Sequence, residues 1–209
     1  MSEGPAKRRA MVLLGSTGAG KTPLGNLIEE RGLWNHRWVH FDFGAQLRRI
    51  AAGDCPEGRF GRDDIALVQR VLREGTLLED EHAPLAEQVL RTFLAERASP
   101  ETGVVLNGLP RHVGQIKTIE PLVDVCTVLA LRCPSETAIQ RIRSNVAGDR
   151  TGRNDDSEEM VRAKIELFYE RTNPLIAHYL ELDIPVRRIV VTATMTPDEV
   201  WRILERRGG

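Results

Sequence analysis

The run Gly15-Ser-Thr-Gly-Ala-Gly-Lys-Thr22 restricts this chain more than any other stretch. It completes a G-x-x-x-x-G-K-[ST] pattern, which needs a strand before it and a helix after it. Both are legible: an apolar run, Ala10–Leu14, leads in, and residues of helical period from Lys21 to Glu30 follow. Glycines let the backbone bend until successive N–H groups face one anion, and the following helix adds its positive N-terminus. Lys21 is placed to reach the outer phosphates, and Thr22 offers a hydroxyl where magnesium sits. Pro23 is tolerated because the first turn of a helix does not need its N–H. The pattern predicts a nucleoside triphosphate site built by Gly15, Ser16, Thr17, Gly18, Ala19, Gly20, Lys21 and Thr22.

Further along, short apolar runs of strand type (Trp38–Phe41, Val104–Leu106, Cys126–Leu131, Arg188–Val191) alternate with helical patterns. The helical patterns lie near Asp63–Arg73, Asp80–Glu96, Ser135–Asn145, Glu158–Arg171 and Pro197–Arg207. Near-continuous apolar strands separated by helices mean a parallel sheet covered on both faces. Thr196-Pro197-Asp198-Glu199 reads as an N-cap, a first-turn Pro and a capping-box Glu. Asp156 with Glu159 reads the same way for the helix after Asn154. The polar, glycine-bearing stretches Ala51–Gly61 and Gly148–Asp156 read as mobile loops on a rigid core.

The charge balance is 29 basic against 30 acidic residues in 209, which argues against a general nucleic-acid or membrane-surface binder. Among the basic residues, 25 are Arg and only 4 are Lys (Lys7, Lys21, Lys117, Lys164), a ratio best read as genome composition. Cys55, Cys126 and Cys133 lack CxxC spacing, and the histidines show no ligand spacing, so neither a disulfide framework nor a zinc site is expected. Cys126 and Cys133 flank an apolar run and read as buried, reduced residues. The apolar run behind MSEGPAKRR is too short for a signal peptide, and no stretch approaches a membrane span. A cytoplasmic location is the expectation.

Downstream motifs resemble, in order, those of adenylate kinases and related nucleoside monophosphate kinases. Phe41-Asp-Phe-Gly-Ala-Gln-Leu-Arg48 is similar to their S-T-G-D-x-L-R segment, and Gly75-Thr-Leu-Leu-Glu-Asp-Glu81 to G-x-L-V-x-D-E. Leu106-Asn-Gly-Leu-Pro-Arg111 resembles D-G-F-P-R, with Gln115 four residues on. Gly152-Arg-Asn-Asp-Asp156 and Asn173-Pro-Leu-Ile-Ala-His-Tyr179 resemble the lid exit and a late helix. The resemblance implies a P-loop three-layer α/β/α fold with a five-stranded parallel sheet, as a single domain over about residues 10–207. Its core would be 10–41, 81–140 and 157–207, its acceptor-binding region about 42–80, its lid about 141–156, and residues 1–9 a tail. It implies Mg2+-dependent transfer of the ATP γ-phosphoryl group to a nucleoside monophosphate, AMP by default, by a monomer.

Such transfer rests on positioning and charge neutralisation, which suits arginine. The same resemblance assigns catalytic roles to Lys21, Arg111, Arg153 and Lys164. It puts Arg141 against the ATP base, and Phe43, Arg48, Leu78, Gly108, Arg111 and Gln115 around the acceptor, with Gln115 reading its base. Asp155 and Asp156 become hinge residues, the alternative for Asp156 being a helix cap. Thr22 and Asn107 would face the magnesium ion, Asn107 through water.

Four departures bear on this. Asn107 replaces the family's aspartate, keeping a hydrogen-bond acceptor but no charge. Phe43 stands where a small Thr contacts the base, and Asp42 and Ala45 replace Ser and Asp around it. Asn145 and Lys164 stand at lid arginines, and either Arg143 or Arg150 is a candidate substitute for the former. Asp42 and Phe43 motivate an alternative, a kinase for a non-nucleotide hydroxylated metabolite. Asn107 and Asn145 motivate another, a nucleotide-binding module with little turnover.

Overall fold

Five parallel strands run in the spatial order β2-β3-β1-β4-β5: β1 (Arg8–Leu14), β2 (Trp38–Asp42), β3 (Gly103–Asn107), β4 (Val123–Arg132) and β5 (Val186–Val190). The computed structural model describes residues 7–146, 148 and 157–208; Arg150, Arg153, Asp155 and Asp156 lie outside the described residues. Central β1 is apolar on both sides because each side meets a separate core. Ala10, Val12 and Leu14 pack with Phe41, Leu106 and Phe93, whereas Met11 and Leu13 pack with Leu24, Ile28 and Leu129. All five of those strand residues are at most 2% exposed, which explains a run without alternation.

Helices cover both faces. On the Met11 side lie α1 (Lys21–Arg31), α6 (Ser135–Ser144), α7 (Glu158–Leu167) and α9 (Pro197–Arg206). On the Val12 side lie α2 (Phe43–Ala51), α3 (Arg62–Glu74), α4 (Ala83–Arg97), the short α5 (Ile116–Ile119) and α8 (Leu175–Glu181). This is the expected three-layer α/β/α arrangement. Among the described residues no helix is long and apolar enough to cross a membrane.

Some elements depart from the expected bounds. Residues 80–82 form a 3-10 turn, so α4 starts at Ala83 with Pro84 in its first turn. The Glu158–Arg171 pattern is α-helical only to Leu167 and continues as a π-helical turn over Phe168–Thr172. Ser157, not Asp156, caps α7, accepting from the Met160 amide at 3.3 Å. The capping box at Thr196 and Glu199 forms as read. Cys133 is buried as expected, but Cys126 is only half-buried, its thiol against the Ala10 carbonyl (3.1 Å) and accepting from Arg9 Nε.

One packing detail positions the site. Gly25 of α1 lies directly on the His40 ring of β2, so a Cβ there would overlap the imidazole. Gly25→Ala gains at most about 1 kcal/mol of helix propensity, against roughly 1–3 kcal/mol for forcing apart a packed contact. The expected result in thermal melts is a loss of several degrees, at roughly 2–4 °C per kcal/mol for a chain of this size. A raised Tm would show that His40 yields freely.

Candidate active site

The turn between β1 and α1 takes the shape its glycines allow. Gly18 (φ 80°) and Gly20 (φ 89°) both sit in the left-handed region, where any side chain is strained. Gly20 is the N-cap of α1 and offers no side-chain cap, which leaves the first amides of the helix for an anion. Lys21 Nζ donates to the Gly15 carbonyl (2.8 Å) and the Ser16 carbonyl (2.9 Å), so its ammonium is held across the turn. The Ser16 hydroxyl is buried with no hydrogen-bond partner among the described residues.

Beyond Lys21 a polar network closes the ends of β2 and β3. Thr22 Oγ1 donates to Asp42 Oδ2 at 2.6 Å, and Asp42 Oδ1 accepts from the Ala45 amide at 2.9 Å, capping α2. Asn107 Nδ2 lies 3.1 Å from Thr22 Oγ1, 3.1 Å from Asp42 Oδ2 and 3.3 Å from His40 Nε2. His40 Nδ1 lies 2.8 Å from Asn26 Oδ1. An amide oxygen only accepts, so Nδ1 carries the proton and Nε2 is the lone pair facing Asn107. Burial pushes the Asp42 carboxyl up, but hydrogen bonds from Thr22 and Ala45 and the nearby Arg48 charge outweigh it and hold its pKa below the ordinary value. Burial pushes the His40 pKa down, against Asp42 and Glu29, so the ring is neutral.

One cavity joins these groups. Its lining includes the turn residues Gly15, Thr17, Gly18, Gly20, Lys21 and Thr22, with Asp42, Phe43, Arg48, Leu78, Asn107, Gly108, Arg111 and Lys164. An apolar wall comes from Leu47, Val71, Leu72 and Leu77. The structure thus brings together most of the side chains singled out from the sequence. Arg111 is held by its backbone: its amide donates to Gln115 Oε1 (2.8 Å) and its carbonyl accepts from Thr172 Oγ1 (2.7 Å). Its Nε donates to the Gly108 carbonyl (3.2 Å), leaving the terminal nitrogens of the fork for the cavity. Burial lowers the Arg111 pKa and Asp42 raises it; guanidinium stays charged at any working pH.

Two side chains, Gln115 and Arg141, bond to backbone groups instead of lining the cavity. Gln115 is 1% exposed and lies behind the wall, its amide spent between the Arg111 amide and the Leu78 carbonyl (2.7 Å). Arg141 is 4% exposed and donates to the carbonyls of Gly18 (3.1 Å), Thr192 (2.7 Å) and Met195 (2.7 Å). It ties the phosphate turn to the segment after β5. Arg143, a candidate for the lid, pairs with Glu158 at the start of α7. Asp42 and Thr172 are the residues the sequence reading undervalued; an Asp three before the Ala45 amide is an N-cap signal that was there to be used.

Magnesium suits these residues. The Thr22 hydroxyl and the Asp42 carboxylate are hard oxygen groups clustered beside the phosphate turn, which is the chemistry this ion selects, whereas Asn107 turns its Nδ2 donor toward them rather than the acceptor expected to face the ion.

No family model matches the chain. An adenylate kinase of Thermus thermophilus is 30% identical over 199 residues, spanning 92% of this chain and 93% of that protein. The UMP-CMP kinase of Bos taurus is 26% identical over 210 residues, spanning 97% of this chain and 100% of that protein. Among solved structures, a gluconokinase from Sinorhizobium meliloti 1021 superposes with a TM-score of 0.54 at 18% identity, over 97% of this chain and 92% of that one. That likeness is one of fold. Phosphate turn, sheet order, motif order and near full-length similarity agree: the chain belongs to the adenylate kinase family of P-loop kinases.

Proposed function

We propose that the chain transfers the γ-phosphoryl group of ATP to a nucleoside monophosphate, with AMP as the first acceptor to test. The observation that carries this reading is the cavity itself. Lys21, Arg48, Arg111 and Lys164 all line it together with the phosphate turn. Four cations exceed what one nucleotide needs and suit two phosphorylated molecules meeting end to end. The wall of Phe43, Leu47, Val71, Leu72, Leu77 and Leu78 suits the flat face of a base.

The residues act by position. The turn amides and Lys21 hold the donor phosphates, and Arg111 and Arg48 hold the acceptor phosphate in line. Lys164 adds charge where the transferring group passes, and Arg153 is proposed to do so from the lid, about residues 141–156. Helices α2 and α3 form the acceptor-binding region. Magnesium, when bound near Thr22, neutralises charge on the donor phosphates. The phosphoryl group moves from the donor's bridging oxygen to an acceptor phosphate oxygen, and ADP leaves. Neither partner needs a protein nucleophile.

A second reading has its own support. With the Gln115 amide spent on backbone, Phe43 at the wall and Asp42 beside Thr22, a small hydroxylated acid is the other acceptor class that fits. A coupled assay with MgATP across AMP, CMP, UMP, GMP, dTMP and a set of sugar acids separates the two. Acceptor-dependent ADP formation with a monophosphate is expected. Turnover only with a sugar acid establishes the second reading, and no turnover above background ATPase with any acceptor sinks both.

A further inference from the structure

We propose that Asp42, at the end of β2, is the carboxylate that supports magnesium beside Thr22, and that residue 107 is an amide because that charge is already present next door. The proposal rests on the phosphotransfer reading above and deepens its metal site.

Asp42 and Asn107 are the paired last residues of neighbouring parallel strands, and β3 lies against β1, whose end becomes the phosphate turn. A threonine hydroxyl that contributes a lone pair to a cation must send its proton elsewhere. Thr22 sends its proton to Asp42 Oδ2 over 2.6 Å, a charge-assisted bond. Among the described residues Asp42 is the only carboxylate lining the cavity, facing Lys21, Arg48, Arg111 and Lys164.

The neighbours of Asn107 explain its type. Two of the groups its Nδ2 meets can only accept: the carboxylate of Asp42 and the Nε2 lone pair of His40, whose proton is fixed on Nδ1 by Asn26. A donor is required there. An aspartate at 107 would set two carboxylates about one hydrogen-bond length apart and turn a third lone pair on them, so one group would have to take up a proton. The network holds one negative charge, and it resides on β2 rather than β3.

Three variants test this: Asp42→Asn, Asn107→Asp and the exchange Asp42→Asn with Asn107→Asp. An asparagine at 42 still accepts from the Ala45 amide, so the α2 cap survives, and thermal melts check the fold. The readout is the affinity for ADP by calorimetry with and without Mg2+, independent of turnover. Asp42→Asn is expected to lose about 10- to 100-fold of the magnesium-dependent tightening while metal-free ADP binding holds, and the exchange to recover most of it. Asn107→Asp alone is expected to gain nothing. An unchanged magnesium effect in Asp42→Asn, an exchange no better than the single variant, or tighter magnesium binding in Asn107→Asp overturns the proposal. If Asp42 serves a hydroxylated acceptor instead, Asp42→Asn loses turnover with its magnesium effect intact, which also overturns it. Failure of the wild type to bind ADP at all is a different result, and removes the phosphotransfer reading with it.

Discussion

Replacing Lys21 with Met is expected to lower kcat by about two to three orders of magnitude, the usual effect of removing one preorganised charge from a developing anion. Lys21 reaches its working position through two backbone carbonyls, Gly15 at 2.8 Å and Ser16 at 2.9 Å. The ammonium is therefore placed before any ligand arrives, and no reorganisation is needed at the moment of transfer. Those same bonds set the size of the side effect. Two carbonyls lose a donor, at about 1 kcal/mol each, so a melting shift of a few degrees accompanies the loss of rate. Lys21→Arg separates charge from shape: a guanidinium keeps the charge but is too long and flat to bridge those carbonyls, and most of the rate stays lost. Steady-state kinetics with the identified acceptor checks both variants. A kcat within threefold of wild type for Lys21→Met would mean that the turn amides alone hold the transferring group.

What was readable beforehand follows from how far each interaction reaches along the chain. The phosphate turn was legible because its chemistry is local: glycine backbone, one lysine and one hydroxyl within eight residues. Sheet and layers were legible because β1 is apolar on both faces. The Asp42–Asn107 pairing was not, because it depends on β2 and β3 becoming neighbours across a gap of 65 residues, and strand order leaves no local mark. Gln115 and Arg141 show the limit of reading by motif. Each has the expected residue type, yet each bonds backbone carbonyls or amides that only the folded chain brings near. The π-helical turn was hidden for a related reason: its residues have ordinary helical character, and the tertiary contacts around it are long-range. Through it Thr172 reaches the Arg111 carbonyl (2.7 Å) and Arg171 pairs with Glu79 (2.7 Å).

Those same contacts make Arg111 the second position where a large effect is expected. Its backbone is gripped on both sides by Gln115 and Thr172, and its Nε is tied to Gly108, so only the outer fork remains to meet a ligand. Two charge-assisted bonds to an acceptor phosphate, at about 1.5–3 kcal/mol each, make Arg111→Ala an expected loss of about 10²- to 10⁴-fold in acceptor kcat/KM. Arg111→Lys keeps the charge and gives up both the fork and the Gly108 tie, so only part of that loss returns. The partners of Arg111 belong to its own loop and to the π-helical turn rather than to the phosphate turn, so the affinity for MgATP is expected to hold within about twofold. Calorimetry with a non-hydrolysable ATP analogue and acceptor titrations at saturating ATP measure the two quantities independently. If donor affinity fell in step with acceptor kcat/KM, Arg111 would be serving the donor phosphates, and the acceptor side would rest on Arg48. Gln115→Leu is the sharper companion: it does not line the cavity, yet it frees the Arg111 amide and leaves the Leu78 carbonyl to the His112 ring alone. A rise in acceptor KM with kcat nearly unchanged is therefore the mark of a positioning residue, whereas a base-reading glutamine would change the ranking of the bases instead.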